Sequence, residues 1–123
     1  MEKTYISVGS DYTMMLAVTD GNDNSVNLTG LVRIDLFLQY ENEDKILKSF
    51  TTSDGSLIVD DAPNGLLKFY LQRADTLLMK SNKNVNVSVK AWETDSNFVD
   101  NVAKFESFPN YYFTPYKSAG YGS

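Results

Sequence analysis

Residues 84–92 read "NVNVSVKAW", and their alternation decides the fold: Val85, Val87, Val89 and Ala91 share one face, while Asn84, Asn86, Ser88 and Lys90 share the other. A strand places successive side chains on opposite sides, so this stretch is a strand with one apolar and one wet face. A second long run, "LVRIDLFLQY" at 31–40, interleaves Val32, Ile34, Leu36 and Leu38 with Arg33, Asp35, Phe37 and Gln39. One face is aliphatic and the other mixed.

Shorter runs of the same kind surround these two: "TYISV", "YTMMLAVT", "KILKSF", "SLIVD", "LLKFYL" and "FVDNVAKFESF". Together they predict about eight strands. The segments between them carry turn chemistry: "TDGNDNS" has residues that tolerate positive φ, "YENED" is a polar hairpin tip, "SDGS" a tight turn, and "DAPNG" joins Pro to Gly. Only "RADTLLMKSN" suits a helix, of one or two turns beginning near Asp75. No connection is long enough for a crossover helix, so the expectation is an all-β antiparallel sandwich rather than a parallel sheet.

The chain has 123 residues, one domain's worth, which at that size buries roughly two-thirds of the surface of its unfolded form. With no cysteine and no histidine, it has no disulfide, no thiolate metal site, and neither the commonest general base nor the commonest metal ligand. A net charge of -5 has the wrong sign for neutralising phosphates, so no nucleic-acid partner is expected. No apolar run approaches the length of a signal or membrane segment, so no membrane partner is expected and the protein reads as made and kept as a soluble cytoplasmic product.

Alternation stops at Phe108, and "PNYYFTPYKSAGYGS" follows. This divides the chain into a sandwich at 1–108 and an extended aromatic C-terminal arm at 109–123. Two readings of the arm stand: it packs back on its own sandwich as an edge segment, or it crosses to a neighbouring subunit and presents Tyr111, Tyr112, Phe113, Tyr116 and Tyr121 as partner-binding residues. On the second, truncation at residue 108 leaves a folded domain unable to join its assembly.

The elements "VGSDYTMMLAVTDGNDNSVNLTG", "TSDG" and "APNGLLKFYLQRADTLLM" resemble the immunoglobulin-like β-sandwich modules of tailed-bacteriophage virions, including the N-terminal domain of baseplate upper proteins and related tail, neck and head accessory proteins. Gly9 and Asp11 stand at the glycine-aspartate opening with Ser10 inserted, Asn27 to Gly30 form the "NLTG" element, Asp54 and Gly55 the turn, and Gly65 precedes "LLKFYL". The resemblance covers roughly residues 6–80, and the following "SNKNVNVSVKAW" departs from it. It implies an immunoglobulin-like sandwich and a structural, non-enzymatic role. The expected partners are other virion proteins, the major capsid protein or tail and neck proteins, with a homo-oligomer as a further option. The expected site is the virion, with an auxiliary protein decorating the capsid as the first location and a tail, neck or baseplate link as the second. Within "NLTG", Leu28 is expected to plug the sandwich end, Asn27 or Thr29 to satisfy turn amides, and Gly30 to take a backbone shape other residues resist.

Chemical candidates are few. "DGNDNS" from Asp20 offers oxygen ligands at Asp20, Asn22 and Asn24, but Ser25 and Leu31 stand where a calcium loop needs glycine and glutamate, so a hairpin loop is expected. Asp60 and Asp61 could pair with a lysine or bind a cation, and as adjacent acids leaving a strand they suit a solvated turn. Asp35, Glu41 and Glu93 are the carboxylates a hydrolase would have to bring together, yet no phosphate loop, nucleophile elbow or metal-ligand spacing accompanies them, and no cofactor is expected. Trp92 with Tyr40, Tyr70 or Tyr12 is the candidate for a sugar-stacking platform, the alternative reading being a carbohydrate-binding module for host attachment, against a packing role at the sheet rim. "NLT" at Asn27 and "NVS" at Asn86 match glycosylation acceptors that a chain without secretion would not use.

Overall fold

The structure, a computed structural model, describes residues 4–20, 22, 24–100, 102–107 and 112–116. Among them the chain forms β1 (Thr4–Ser7), β2 (Tyr12–Ala17), β3 (Arg33–Tyr40), β4 (Ile46–Thr51), β5 (Leu57–Asp61), β6 (Leu66–Leu71), helix α1 (Arg73–Leu77), β7 (Val85–Thr94), β8 (Val102–Ser107) and β9 (Tyr112–Tyr116). One sheet has the order β1-β9-β7-β3-β4, with β8 also on β7; the other has the order β2-β6-β5. Two sheets so ordered make an immunoglobulin-like sandwich, with β9-β7-β3-β4 as one layer and β2-β6-β5 as the other. No helix among the described residues is long and apolar enough to cross a membrane.

The two runs that alternate most clearly form the centre of the larger sheet. β3 and β7 pair antiparallel along their length, from Arg33 opposite Trp92 to Tyr40 opposite Val85. Their inward rows, Ile34, Leu36, Leu38 and Tyr40 against Val85, Val87, Val89 and Ala91, are buried. Across the interior they meet Met14 and Leu16 of β2 and Leu67, Phe69 and Leu71 of β6, where Phe50 and Phe69 pack with ring centroids 4.9 Å apart. Val32, expected on the aliphatic row, is 57% exposed, because the row runs from Ile34 to Tyr40 and Val32 precedes the strand.

The C-terminal segment corrects the arm. Residues 112–116 are a strand of the domain's own sheet, inserted between β1, which it meets in parallel, and the start of β7, which it meets antiparallel. Phe113, assigned to a partner, is 0% exposed and part of the core. The cause is an open slot: β1 and the first half of β7 each present an unpaired edge to the other, and a strand between them satisfies both rows of backbone groups while burying an aromatic ring. The boundary at 108/109 therefore does not separate an arm from a domain. β8 occupies the far half of β7's edge, and β9 the near half. β8 ends with Ser107 opposite Val89, and β9 begins with Tyr112 opposite Asn86.

The ends of the sandwich are tied by the elements that carry the family resemblance. At one end the Gly9 N–H donates to Thr76 Oγ1 (3.0 Å), whose hydroxyl donates to the Ser10 carbonyl (2.8 Å), and Asp11 Oδ1 accepts from the Arg73 N–H (2.6 Å). Helix α1 starts at Arg73 rather than near Asp75 because the Asp75 carboxylate reaches back to the Gln72 N–H (3.1 Å), closing the first turn. At the other end Leu28 is buried, its N–H donates to the Ala62 carbonyl, and Asn27 Oδ1 accepts from the Thr29 N–H, as expected of the "NLTG" element, with Gly30 at φ +79. Gly65, at φ +72, lies so close to the β2–β3 connection that a Cβ there falls 2.6 Å from the Val26 carbonyl oxygen.

Candidate interaction surface

The outward row of β3 and β7 carries a connected group of interacting side chains. Arg33 and Trp92 are cross-strand neighbours, and the Arg33 guanidinium lies 4.5 Å from the indole ring centroid. The same guanidinium grips Asp35 two residues on, Nε to Oδ1 at 2.9 Å and a terminal nitrogen to Oδ2 at 2.5 Å. Opposite Asp35 stands Lys90, whose ammonium lies 5.4 Å from the Phe37 ring. Aromatic, cation, carboxylate, cation and aromatic thus follow one another across a pleated face, a spacing that alternation and antiparallel register dictate.

Asp35 is buried although its partner Arg33 is half exposed. The Arg33 hydrogen bonds hold its carboxyl below the ordinary value; the Thr51 hydroxyl and the charges of Arg33 and Lys90 act in the same direction, against burial, which pushes it up. The carboxylate is therefore committed to the face. Chemically this surface offers a planar, partly desolvated Arg-Trp pair, the residue types that anchor protein interfaces.

The sugar-stacking set is not assembled. Tyr40 is buried at the far end of β3 with its hydroxyl accepting from the Lys80 N–H, Tyr12 donates its position to β2 with its hydroxyl against the Ser7 N–H, and Tyr70 lies on the other sheet. Trp92 stands apart from all three, and Arg33 covers one of its faces. The candidate carboxylates are apart as well. Asp35 is engaged by Arg33, Glu41 accepts from the Asn84 side-chain amide (2.9 Å), and Glu93 is exposed. Asp20 spends one oxygen on the Asn22 and Asn24 N–H groups, which makes "DGNDNS" the expected hairpin loop, and Asp60 pairs with Lys68 at 3.8 Å. Among the described residues no group of three or more acidic side chains converges on a point.

Of the five aromatics assigned to the C-terminal segment, Phe113 is core and Tyr116 is exposed, its ring meeting Tyr5 edge-on at 6.5 Å. Tyr112 begins β9. Tyr111 and Tyr121 lie outside the described residues. Exposed apolar side chains gather instead at two places that strand patterning does not reveal. One is the β7–β8 turn, where Phe98 is half exposed and Val99 is 105% exposed. "FVDNVAKFESF" reads as one strand, but β8 starts only at Val102, because Asp95 Oδ1 accepts from the Asn97 N–H and the Asp95 carbonyl from the Phe98 N–H, closing a turn first. The "TDSN" preceding Phe98 was the legible signal. The other place is the C-terminal end of α1, where Leu77 is half exposed and Leu78, the residue after the helix, is 84% exposed.

The chain matches no protein-family model and no curated protein.

Proposed function

We propose that this protein is a non-enzymatic structural component of a tailed-bacteriophage virion, an auxiliary protein that docks on the capsid lattice and stabilises it. The observation that carries the proposal is the fate of the elements on which the resemblance rests: Gly9 to Asp11, Asn27 to Gly30, Asp54 with Gly55, and Gly65 are all occupied as joints of the sandwich. Their polar groups hold backbone and helix, and the binding character of the molecule is left to outward aromatic and apolar side chains.

Attachment in this reading is adhesive. The Arg33–Trp92 face and the exposed Tyr5–Tyr116 pair supply contact area at low entropy cost, and many identical weak contacts on a symmetric lattice add by avidity. The acidic balance keeps unassembled copies soluble. The test is the copy number of the chain in purified particles, by quantitative peptide counting. A number commensurate with the capsid lattice supports the decoration role; a number matching a single ring moves the protein to tail, neck or baseplate; absence from particles overturns both. Glycan arrays read through Trp92 fluorescence probe the carbohydrate alternative, which a flat response removes.

A further inference from the structure

An open sheet ends in a row of unpaired backbone groups, and natural sequences blunt such rows so that chains do not join through them. Among the described residues β1, β4, β8, β2 and β5 each have one side without a neighbouring strand. All but one of these edges are blunted. β1 is four residues long, and the Tyr12 hydroxyl accepts from its Ser7 N–H (2.7 Å). β4 carries Lys48, and Ser56 Oγ accepts from the Thr51 N–H on its outer side (2.9 Å). β5 is bent by a bulge between Val59 and Asp61 and carries both Asp60 and Asp61. β8 carries Lys104 and Glu106.

β2 has none of these devices. Its "YTMMLA" holds no charge, proline or glycine, and it runs against β6 in unbroken register from Tyr12 opposite Leu71 to Ala17 opposite Leu66. The Val18 N–H donates to the Gly65 carbonyl (2.8 Å), so in an antiparallel ladder Leu16 and Met14 also turn their backbone groups towards β6. Thr13, Met15 and Ala17 therefore turn theirs away, and among the described residues nothing pairs with them. Their side chains lie on the outward face and all three are exposed. The chemistry of such a row fixes what it recognises: an extended strand with an unpaired row of its own.

We propose that this strand is β2 of a second copy, since in that copy too β2 is the one edge left unblunted. Antiparallel pairing about a two-fold axis at Met15 sets Met15 opposite Met15, Thr13 opposite Ala17 and Met14 opposite Leu16, so the apolar rows of both copies stay on one face. Asp11 falls opposite Thr19 and Asp20 opposite Ser10, so no like charges meet. Lys68, next to Met15 on the outward face, is paired with Asp60 at 3.8 Å. The two small sheets join in the order β5-β6-β2-β2-β6-β5, an isologous dimer that closes on itself. The pairing rests on the edges of the fold and not on the virion reading. A single strand pair is a small contact, which places it among weak associations.

Because the chain has no cysteine, cross-linking reads the register directly. Opposed Cα atoms of a hydrogen-bonded antiparallel pair lie about 5.5 Å apart, within the roughly 4.4–6.8 Å that a disulfide spans. Met15→Cys should therefore oxidise to a covalent dimer, and Thr13→Cys should do so only when mixed with Ala17→Cys. Sedimentation velocity on the wild-type chain from about 10 μM to about 1 mM should show an equilibrium that stops at the dimer. Met15→Lys changes an exposed side chain, so it should stay folded by circular dichroism while raising the dissociation constant at least about tenfold. A wild type that stays monomeric throughout overturns the proposal. So does association that Met15→Lys leaves unchanged, or Thr13→Cys alone cross-linking as fast as Met15→Cys. Hydrogen exchange supplies the remaining check: protection of the Thr13, Met15 and Ala17 amides should rise with concentration. Equal protection at every concentration would mean that the chain covers this edge itself, and would overturn the proposal as well.

Discussion

Two short apolar stretches near the C-terminus meet opposite fates. "YFTPY" at 112–116 follows a break in alternation and is taken into the larger sheet, with Phe113 fully buried. "NFVD" at 97–100 lies inside an apparently continuous strand pattern and is left outside, with Val99 wholly exposed. Apolar content is similar in the two. What differs is the presence of an unpaired edge within reach: the slot between β1 and β7 offers two rows of backbone groups and a hole in the core, whereas the turn between β7 and β8 lies beyond the last pair of the ladder, Thr94 opposite Val102.

The largest test of that contrast is removal of residues 109–123. Loss of β9 strips a core phenylalanine and exposes both edges, so the truncated chain should lose cooperative unfolding by circular dichroism; a folded, soluble product would return this segment to the role of an arm. The single substitution Phe113→Ala is expected to cost about 3–5 kcal/mol in urea unfolding, the usual range for a buried aromatic ring.

Gly65→Ala sharpens the comparison at the opposite end, where the β5–β6 turn presses on the β2–β3 connection. A side chain there meets the Val26 and Val18 carbonyl oxygens in a left-handed backbone, so a loss of about 2 kcal/mol or more is expected. A neutral result would mean that this end is far looser than the slot holding β9.

The Arg33–Asp35 pair lies between these extremes. Arg33→Ala leaves Asp35 buried without its principal partner and should lower the urea-unfolding midpoint at neutral pH. Because the folded-state carboxyl lies below its ordinary value, its contribution to stability is present above about pH 4 and is lost as pH falls through the lowered folded value. Acid titration of stability should accordingly be shallower below pH ~4 in Asp35→Asn than in wild type. Equal slopes would mean that Asp35 is not held by its neighbours in solution.

The smallest effect is expected at the exposed tip. Phe98→Ser and Val99→Ser should each shift stability by no more than about 0.5 kcal/mol, since neither side chain supports the core. A Phe98 substitution as damaging as one at Phe113 would erase the distinction between the two stretches.

By itself, the sequence determined the strand content, the central rows of β3 and β7, the turns and the short helix, because each depends on local backbone preference and a two-residue period that neighbouring residues display. "NLTG" was legible for the same reason: an Asx turn, a plug and a positive-φ glycine are all local. Three things were settled only when the chain closed. Long-range pairing decided that residues 112–116 fill the gap between β1 and β7, and the end of the β7–β8 ladder decided that Phe98 and Val99 remain outside. Cross-strand register brought Arg33, Asp35, Lys90 and Trp92 into one group while keeping Trp92 from Tyr12, Tyr40 and Tyr70. Alternation tells a residue which face of its strand it occupies, but strand order, register and free edges belong to the assembled sheets, and those three decide which faces meet and which remain open.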